Sequence, residues 1–137
     1  MDQPNHLLNP VDSAQFLAAI FLAILFLQSG LDKVVDFGGN LSWLQGHFAK
    51  SPLAGFVKPM LVTITLTETV AGLVCAIGAG QVALSGETGI ALRGAQLAAA
   101  NIVMLFFGQR LAKDYPGAAT LAGYFVLAVG AVLLMSM

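Results

Sequence analysis

The sequence predicts an all-α membrane protein, a bundle of four transmembrane helices with a short amphipathic interfacial helix in the first loop. Of its 137 residues, 58% are hydrophobic and only 9% are charged, whereas an ordinary soluble domain carries about 25% charged residues. Four apolar stretches reach the roughly 20 residues that a helix needs to cross a bilayer. We therefore expect a single transmembrane domain that covers residues 1–137.

Local signals bound the four predicted spans. The second span begins at Pro59, where a helix tolerates proline, and ends in the glycine-rich run Gly78–Gly80. A turn at Tyr115-Pro116-Gly117 precedes the fourth span. The run Val62–Val70 alternates with a period of two, but an isolated strand would leave its backbone unpaired in hydrocarbon, so it is predicted as helix. The spans cover approximately residues 13–35, 59–80, 90–110 and 118–137.

The first loop is the only connection with room for structure of its own. Asn40 is a suitable N-cap, and Leu41, Leu44 and Phe48 share one helical face. This pattern predicts a helix over approximately residues 40–50, lying in the interface with Trp43 at headgroup level. A plug packed over the end of the bundle is the equal alternative.

Basic residues predict the orientation. Five of the six lie beside or within the loops that follow spans one and three, and Arg93 alone lies on the other side. By the positive-inside rule, these two loops face the cytoplasm and both termini lie outside. Charged and aromatic side chains near the span ends are expected to anchor the protein at the interface, namely Trp43, Asp32, Arg93, Arg110 and Lys113.

A carboxyl group near the bilayer midplane is the main candidate for function. Glu68 lies ten residues past Lys58, about 15 Å along a helix, and Asn101 is expected at nearly the same level. Gln28 and Tyr124 are expected about one turn closer to the cytoplasm. These four side chains would form a proton or quinone site, with Glu68 among neutral polar neighbours. Equally, they would be simple interhelical contacts that stabilise the bundle by about 0.6 kcal/mol each.

Two pairs on span one point in different directions. Gln28 and Asp32 are four residues apart on one face, as are Ser29 and Lys33 on another. Asp32 and Lys33 are therefore not expected to pair with each other. Each is expected to bind another helix or to reach the headgroups.

Several classes of function are excluded. A net charge of −1 without a basic run gives nucleic acid no surface to bind. The single cysteine, Cys75, excludes an intrachain disulfide and a cysteine-built metal site. We expect no metal and no cofactor held by this chain alone, with a quinone as the possible ligand.

Two motifs resemble the DoxX family of small four-helix membrane proteins. The segment Gln28–Phe37 resembles the G-x-x-K-…-D-F signature at the end of the first helix. The segment Glu68–Gly78 resembles the second-helix pattern of a glutamate followed by small residues. The resemblance covers nearly the whole chain and implies a bacterial or archaeal plasma membrane. The residues that match the family pattern are Gly30, Lys33, Asp36, Glu68, Gly72 and Gly78.

Three functions follow as hypotheses. By the resemblance, the chain is an accessory subunit of a quinone-linked oxidoreductase, with the midplane polar cluster facing a quinone or a proton path. The second hypothesis is a purely structural or assembly subunit of a larger membrane complex. The third is a small transporter, which requires a homo-oligomer because four helices rarely enclose a pore alone. In each case the partners are lipid and other membrane chains.

Overall fold

A computed structural model describes residues 6–137, and the predicted fold class is confirmed. Four helices are long and apolar enough to cross a membrane, and a fifth, shorter helix follows the first. The described residues contain no strand. The five helices are α1 (Pro10–Val35), α2 (Phe37–His47), α3 (Val57–Ser85), α4 (Gly89–Leu111) and α5 (Tyr115–Met135), with single 3-10 turns at His6–Leu8 and Ala54–Phe56.

The four long helices pack around the bundle in the order α1, α3, α4, α5. The contact of α1 with α3 is the most extensive, and α1 and α4 lie diagonally opposite each other. We call the end of the bundle at which α1 and α4 finish the α2 end. At the opposite end, Gln15 Nε2 donates to the carbonyl of Leu134 at 2.9 Å, and Thr88 Oγ1 donates to the carbonyl of Met135 at 2.8 Å. These bonds join the loop before α4 and the start of α1 to the end of α5.

Glycines set the register of α1 against α3. A Cβ added at Gly30 would lie 2.5 Å from Thr69 Oγ1, and one at Gly72 would lie 2.7 Å from the backbone nitrogen of Leu27. Gly30 is therefore level with Thr69, and Leu27 is level with Gly72, along two antiparallel helices. Ala71, the middle residue of α3, is accordingly level with residue 28 of α1.

Glycines also set the register of α3 against α4. A Cβ at Gly78 would lie 2.5 Å from the backbone nitrogen of Ala91, and one at Gly94 would lie 2.7 Å from Cys75 Sγ. The prediction that Gly78–Gly80 ends the helix is wrong. The helix continues to Ser85 and ends at Gly86, whose φ of 74° is left-handed and suits glycine. Close packing against α4, rather than helix termination, accounts for Gly78.

Other span boundaries also differ from the prediction, and α3 itself begins at Val57 rather than at Pro59. The first helix begins at Pro10, three residues early, because the side chain of Asn9 caps the amides of Val11 and Asp12. The fifth helix begins at Tyr115, so Pro116 lies in its first turn, and Asp114 caps it by accepting a bond from the amide of Gly117 at 2.9 Å. The predicted turn at 115–117 is thus the first turn of the helix.

The short helix α2 begins and ends three residues before its predicted bounds. Its N-cap is Asp36, which accepts a bond from the amide of Gly39 at 3.3 Å. Asn40, the predicted cap, lies inside the helix and donates to the carbonyl of Asp36 at 2.8 Å. An earlier start is possible because the acidic cap directly follows the last residue of α1.

The threonine-rich part of α3 is helical, as predicted. Thr65 Oγ1 donates to the carbonyl of Leu61 at 2.7 Å, and Thr69 Oγ1 donates to that of Thr65 at 2.8 Å. Side-chain hydroxyls are satisfied by carbonyls one turn earlier, which removes the cost of placing them in an apolar environment.

Candidate functional site

Glu68 forms a buried ion pair with a lysine of α1. Its carboxyl lies on the inner face of α3, and its side chain is only 3% exposed. Lys33 Nζ is 2.8 Å from Glu68 Oε1, at ion-pair distance. The expectation that only neutral groups surround Glu68 is wrong. It failed because depth alone does not show which side of α1 Lys33 occupies.

Ser29 joins the two charged groups. Its Oγ donates to Glu68 Oε2 at 2.9 Å and accepts from Lys33 Nζ at 2.8 Å. Ser29 and Lys33 reach the same carboxyl because they lie one turn apart on the same face of α1. Because Gly30 lets α1 approach α3 closely, the side chains of Ser29 and Lys33 reach Glu68. We call Ser29, Lys33 and Glu68 the buried triad.

Asn101 of α4 lies beside α3 but forms no hydrogen bond with Glu68. Its Nδ2 donates to Thr67 Oγ1 at 2.6 Å, and Thr67 Oγ1 in turn donates to the carbonyl of Ile64 at 3.1 Å. The side chain of Asn101 is fully buried, and its Oδ1 has no donor among the described residues. Asn101 therefore hydrogen-bonds Thr67, the residue before Glu68 in α3, rather than Glu68 itself.

Gln28 and Tyr124 do not join the predicted cluster. Gln28 is exposed on the outside of α1, and the register places it level with Ala71, one turn beyond Glu68 rather than one turn short of it. Tyr124 is half-buried and packs against the apolar core. Of the four predicted site residues, Glu68 and Asn101 are buried on neighbouring helices, and the other two lie elsewhere.

An apolar cavity of about 120 Å³ lies on the α2 side of the buried triad. Met60 and Ile64 of α3, Met104 of α4 and Leu44 of α2 form much of its wall. Among the described residues that line it, Lys33 alone is charged. The cavity is smaller than the roughly 300–1,000 Å³ of a site for a whole drug-sized ligand. It has room for a small group rather than for a whole ligand of that size.

A cluster around His47 lies beside the cavity, two of whose lining residues, Phe48 and Gln109, contact the His47 ring. His47 Nε2 lies 2.8 Å from Gln109 Oε1 and 3.4 Å from Asp114 Oδ2. Its ring stacks on Trp43 at 4.7 Å and meets the edge of Phe48 at 5.1 Å. This arrangement links α2 to the turn between α4 and α5. The sequence carried one signal for it, the spacing of four residues between Trp43 and His47 on one face.

The two interpretations of α2 each hold in part. Leu44 and the buried Phe48 line the cavity, as expected of a plug. Trp43 is 63% exposed, as expected of a side chain at the interface. The helix therefore covers the end of the bundle with one side and exposes the other.

The remaining predicted anchors lie at the surface. Asp32 and Lys113 are exposed, and the guanidinium of Arg110 lies 4.6 Å from the centre of the Tyr115 ring. Arg93 is also exposed, and its Nη1 donates to Gln96 Oε1 at 2.9 Å, one turn further along the same face of α4.

The residues that match the DoxX pattern have distinct structural roles. Gly30, Gly72 and Gly78 lie at close helix contacts, Lys33 belongs to the buried triad, and Asp36 caps α2. Comparisons with protein-family models, curated proteins and solved structures found no match to this chain. The likeness to DoxX proteins therefore depends on the two motifs alone.

Proposed function

We propose that this chain is a DoxX-like membrane subunit of a quinone-linked oxidoreductase, and that it holds a quinone head in the cavity beside Lys33. The observation that carries the proposal is the position of Lys33, which lines the apolar cavity and also pairs with a buried carboxylate. A quinone head has an apolar ring and polar carbonyl oxygens. Such a head matches a cavity with apolar walls and one cationic donor.

The chemistry assigned to this chain is binding and proton transfer. Reduction of a quinone consumes two electrons and two protons. Lys33 would donate a hydrogen bond to a quinone carbonyl, and Glu68, released from its cation, would take up and pass on a proton. The electrons would come from a partner subunit.

The proposed orientation places the cavity on the cytoplasmic side. Lys50, Lys58, Arg110 and Lys113 lie at the α2 end, whereas Arg93 lies towards the other end. The positive-inside rule supports a cytoplasmic α2 end with both termini outside. A bacterial or archaeal plasma membrane follows from the DoxX resemblance.

Quinone binding by the protein in nanodiscs tests the proposal. A short-chain quinone is titrated against wild type, Lys33→Met and Asp32→Asn. Loss of one charged hydrogen bond, about 1.5–3 kcal/mol, predicts at least tenfold weaker binding by Lys33→Met. Asp32→Asn is the matched control because Asp32 directly precedes Lys33 in α1 but is exposed. Equal affinity in all three proteins would refute a site at Lys33.

A structural subunit is the alternative that one observation favours. The buried triad satisfies its own charges within α1 and α3, as an interaction that only holds two helices together would. Glu68→Gln discriminates between the two functions: a quinone role requires slower quinone-coupled turnover in host membranes with normal assembly. Unchanged turnover, with a stable partner that co-purifies in mild detergent, favours the structural role. The transporter hypothesis ranks third, since it needs a pore between copies.

A further inference from the structure

We propose that two copies of this chain associate in the membrane along the outer face of α1, with Gln28 of each copy at the centre of the contact. This inference is independent of the proposed quinone site, which lies on the inner side of the same helix. The outer face is a row of exposed side chains, namely Leu17, Phe21, Ile24, Gln28, Leu31 and Val35.

The spacing of the outer face suits helix pairing. Its members alternate between steps of four and three residues over 19 positions, from Leu17 to Val35. This is the spacing of the a and d positions of a parallel coiled coil, and Gln28 occupies an a position. A polar residue at one such position sets the register and number of chains, at some cost in stability.

Gln28 lies at a depth where an unpaired amide is unfavourable. It is level with Ala71, which has 14 residues of α3 on either side. The end of α1 at Val35 is seven residues away, about 10 Å along the axis, and a glutamine side chain is shorter than that. The Gln28 side chain is exposed and has no hydrogen bond within the described part of the chain. Hydrocarbon offers it neither donor nor acceptor.

A second copy satisfies this amide by symmetry. Two copies with the same orientation in a bilayer are related by an axis along the membrane normal, and rotation about that axis keeps every residue at its depth. Gln28 therefore meets Gln28 of the second copy, and each amide contributes one donor and one acceptor. Gln96 is also exposed at a similar depth on α4, but its carbonyl already accepts from Arg93.

Cysteine crosslinking in liposomes tests the contact. Gln28→Cys is made in the otherwise native chain, whose own Cys75 is buried. Leu97→Cys is the control, because Leu97 is exposed at nearly the same depth on the opposite helix. Mild oxidation should give a covalent dimer with Gln28→Cys and none with Leu97→Cys or wild type. The proposal would be overturned if Gln28→Cys gave no crosslinked dimer. It would also be overturned if position 28 crosslinked only to a copy that carries Gln96→Cys.

Dimer dissociation on dilution with lipid measures the role of the amide itself. Two hydrogen bonds of about 0.6 kcal/mol each predict that Gln28→Leu raises the dimer Kd about five- to tenfold. Gln28→Asn keeps an amide and should therefore raise the dimer Kd by a smaller factor. A Kd unchanged by Gln28→Leu would contradict the assignment of Gln28, and so would a monomer whose residue 28 crosslinks to a different subunit.

Discussion

Lys33 of α1 and Glu68 of α3 lie 2.8 Å apart, and the contact of Gly30 with Thr69 brings their helices close enough for this pair to form. Both charges are largely removed from solvent, with exposed side-chain fractions of 18% and 3%. Removal of either partner would leave the other charge buried without compensation. The pair therefore connects the stability of the bundle to Lys33, which also lines the cavity.

The first prediction concerns this ion pair. Lys33→Met and Glu68→Gln should each destabilise the protein by about 3–5 kcal/mol, because each leaves the charge of the other residue buried and unpaired. The double variant should lose less stability than the sum of the two single losses, because it leaves no charge unpaired. Unfolding in detergent measures the cycle. Asp32→Asn should change stability by less than about 0.5 kcal/mol, and additive losses would show that the pair contributes no coupling.

The second prediction compares two glycines of α3. Gly78→Ala should destabilise the bundle by about 1–3 kcal/mol, because its Cβ would overlap the backbone of Ala91, which cannot rotate away. Gly80→Ala is the control two residues later. No atom lies within 4 Å of its added Cβ, so alanine should be neutral or stabilise the helix by up to about 1 kcal/mol. Equal effects on thermal unfolding would contradict the close approach of α3 and α4 at Gly78.

The third prediction concerns the fully buried Asn101. Thr67→Val removes the acceptor of its Nδ2 and should cost about 1–3 kcal/mol, the penalty for a buried polar group left unpaired. Thr63→Val is matched to it, since exposed Thr63 bonds only the carbonyl of Pro59 in its own helix. Replacement of both Thr67 and Asn101 by apolar residues should recover part of the loss. Equal unfolding free energies for Thr67→Val and Thr63→Val would count against this bond.

The fourth prediction concerns the attachment of α2. His47→Ala removes the contacts with Gln109 and Asp114, and one hydrogen bond contributes about 1 kcal/mol. Local opening of α2 should become about fivefold more frequent, which amide hydrogen exchange over residues 37–48 measures. Lys50→Ala, in the same loop but exposed, should leave that exchange unchanged. Exchange as slow in the His47→Ala protein as in wild type would show that other contacts hold α2.

The four spans and the buried carboxyl of Glu68 follow from the sequence. A length of apolar chain suffices to predict a span, because hydrocarbon forces every backbone group to pair within the helix. The depth of Glu68 likewise follows from its distance to the helix end. The helices capped by Asn9, Asp36 and Asp114 begin about three residues before their predicted starts. Each start depends on a capping geometry that several nearby residues could provide.

What the sequence by itself determined is how many helices there are and that Glu68 and Asn101 lie near the middle of theirs. Only the tertiary structure decided which way each helix faces. It turned Ser29 and Lys33 inward to Glu68 and left Gln28 and Asp32 outside. In a soluble helix the apolar stripe marks the inner face, but here lipid-facing and core-facing sides are both apolar. The rotation of α1 is set instead by where its glycine permits contact with α3, which only the packed bundle reveals.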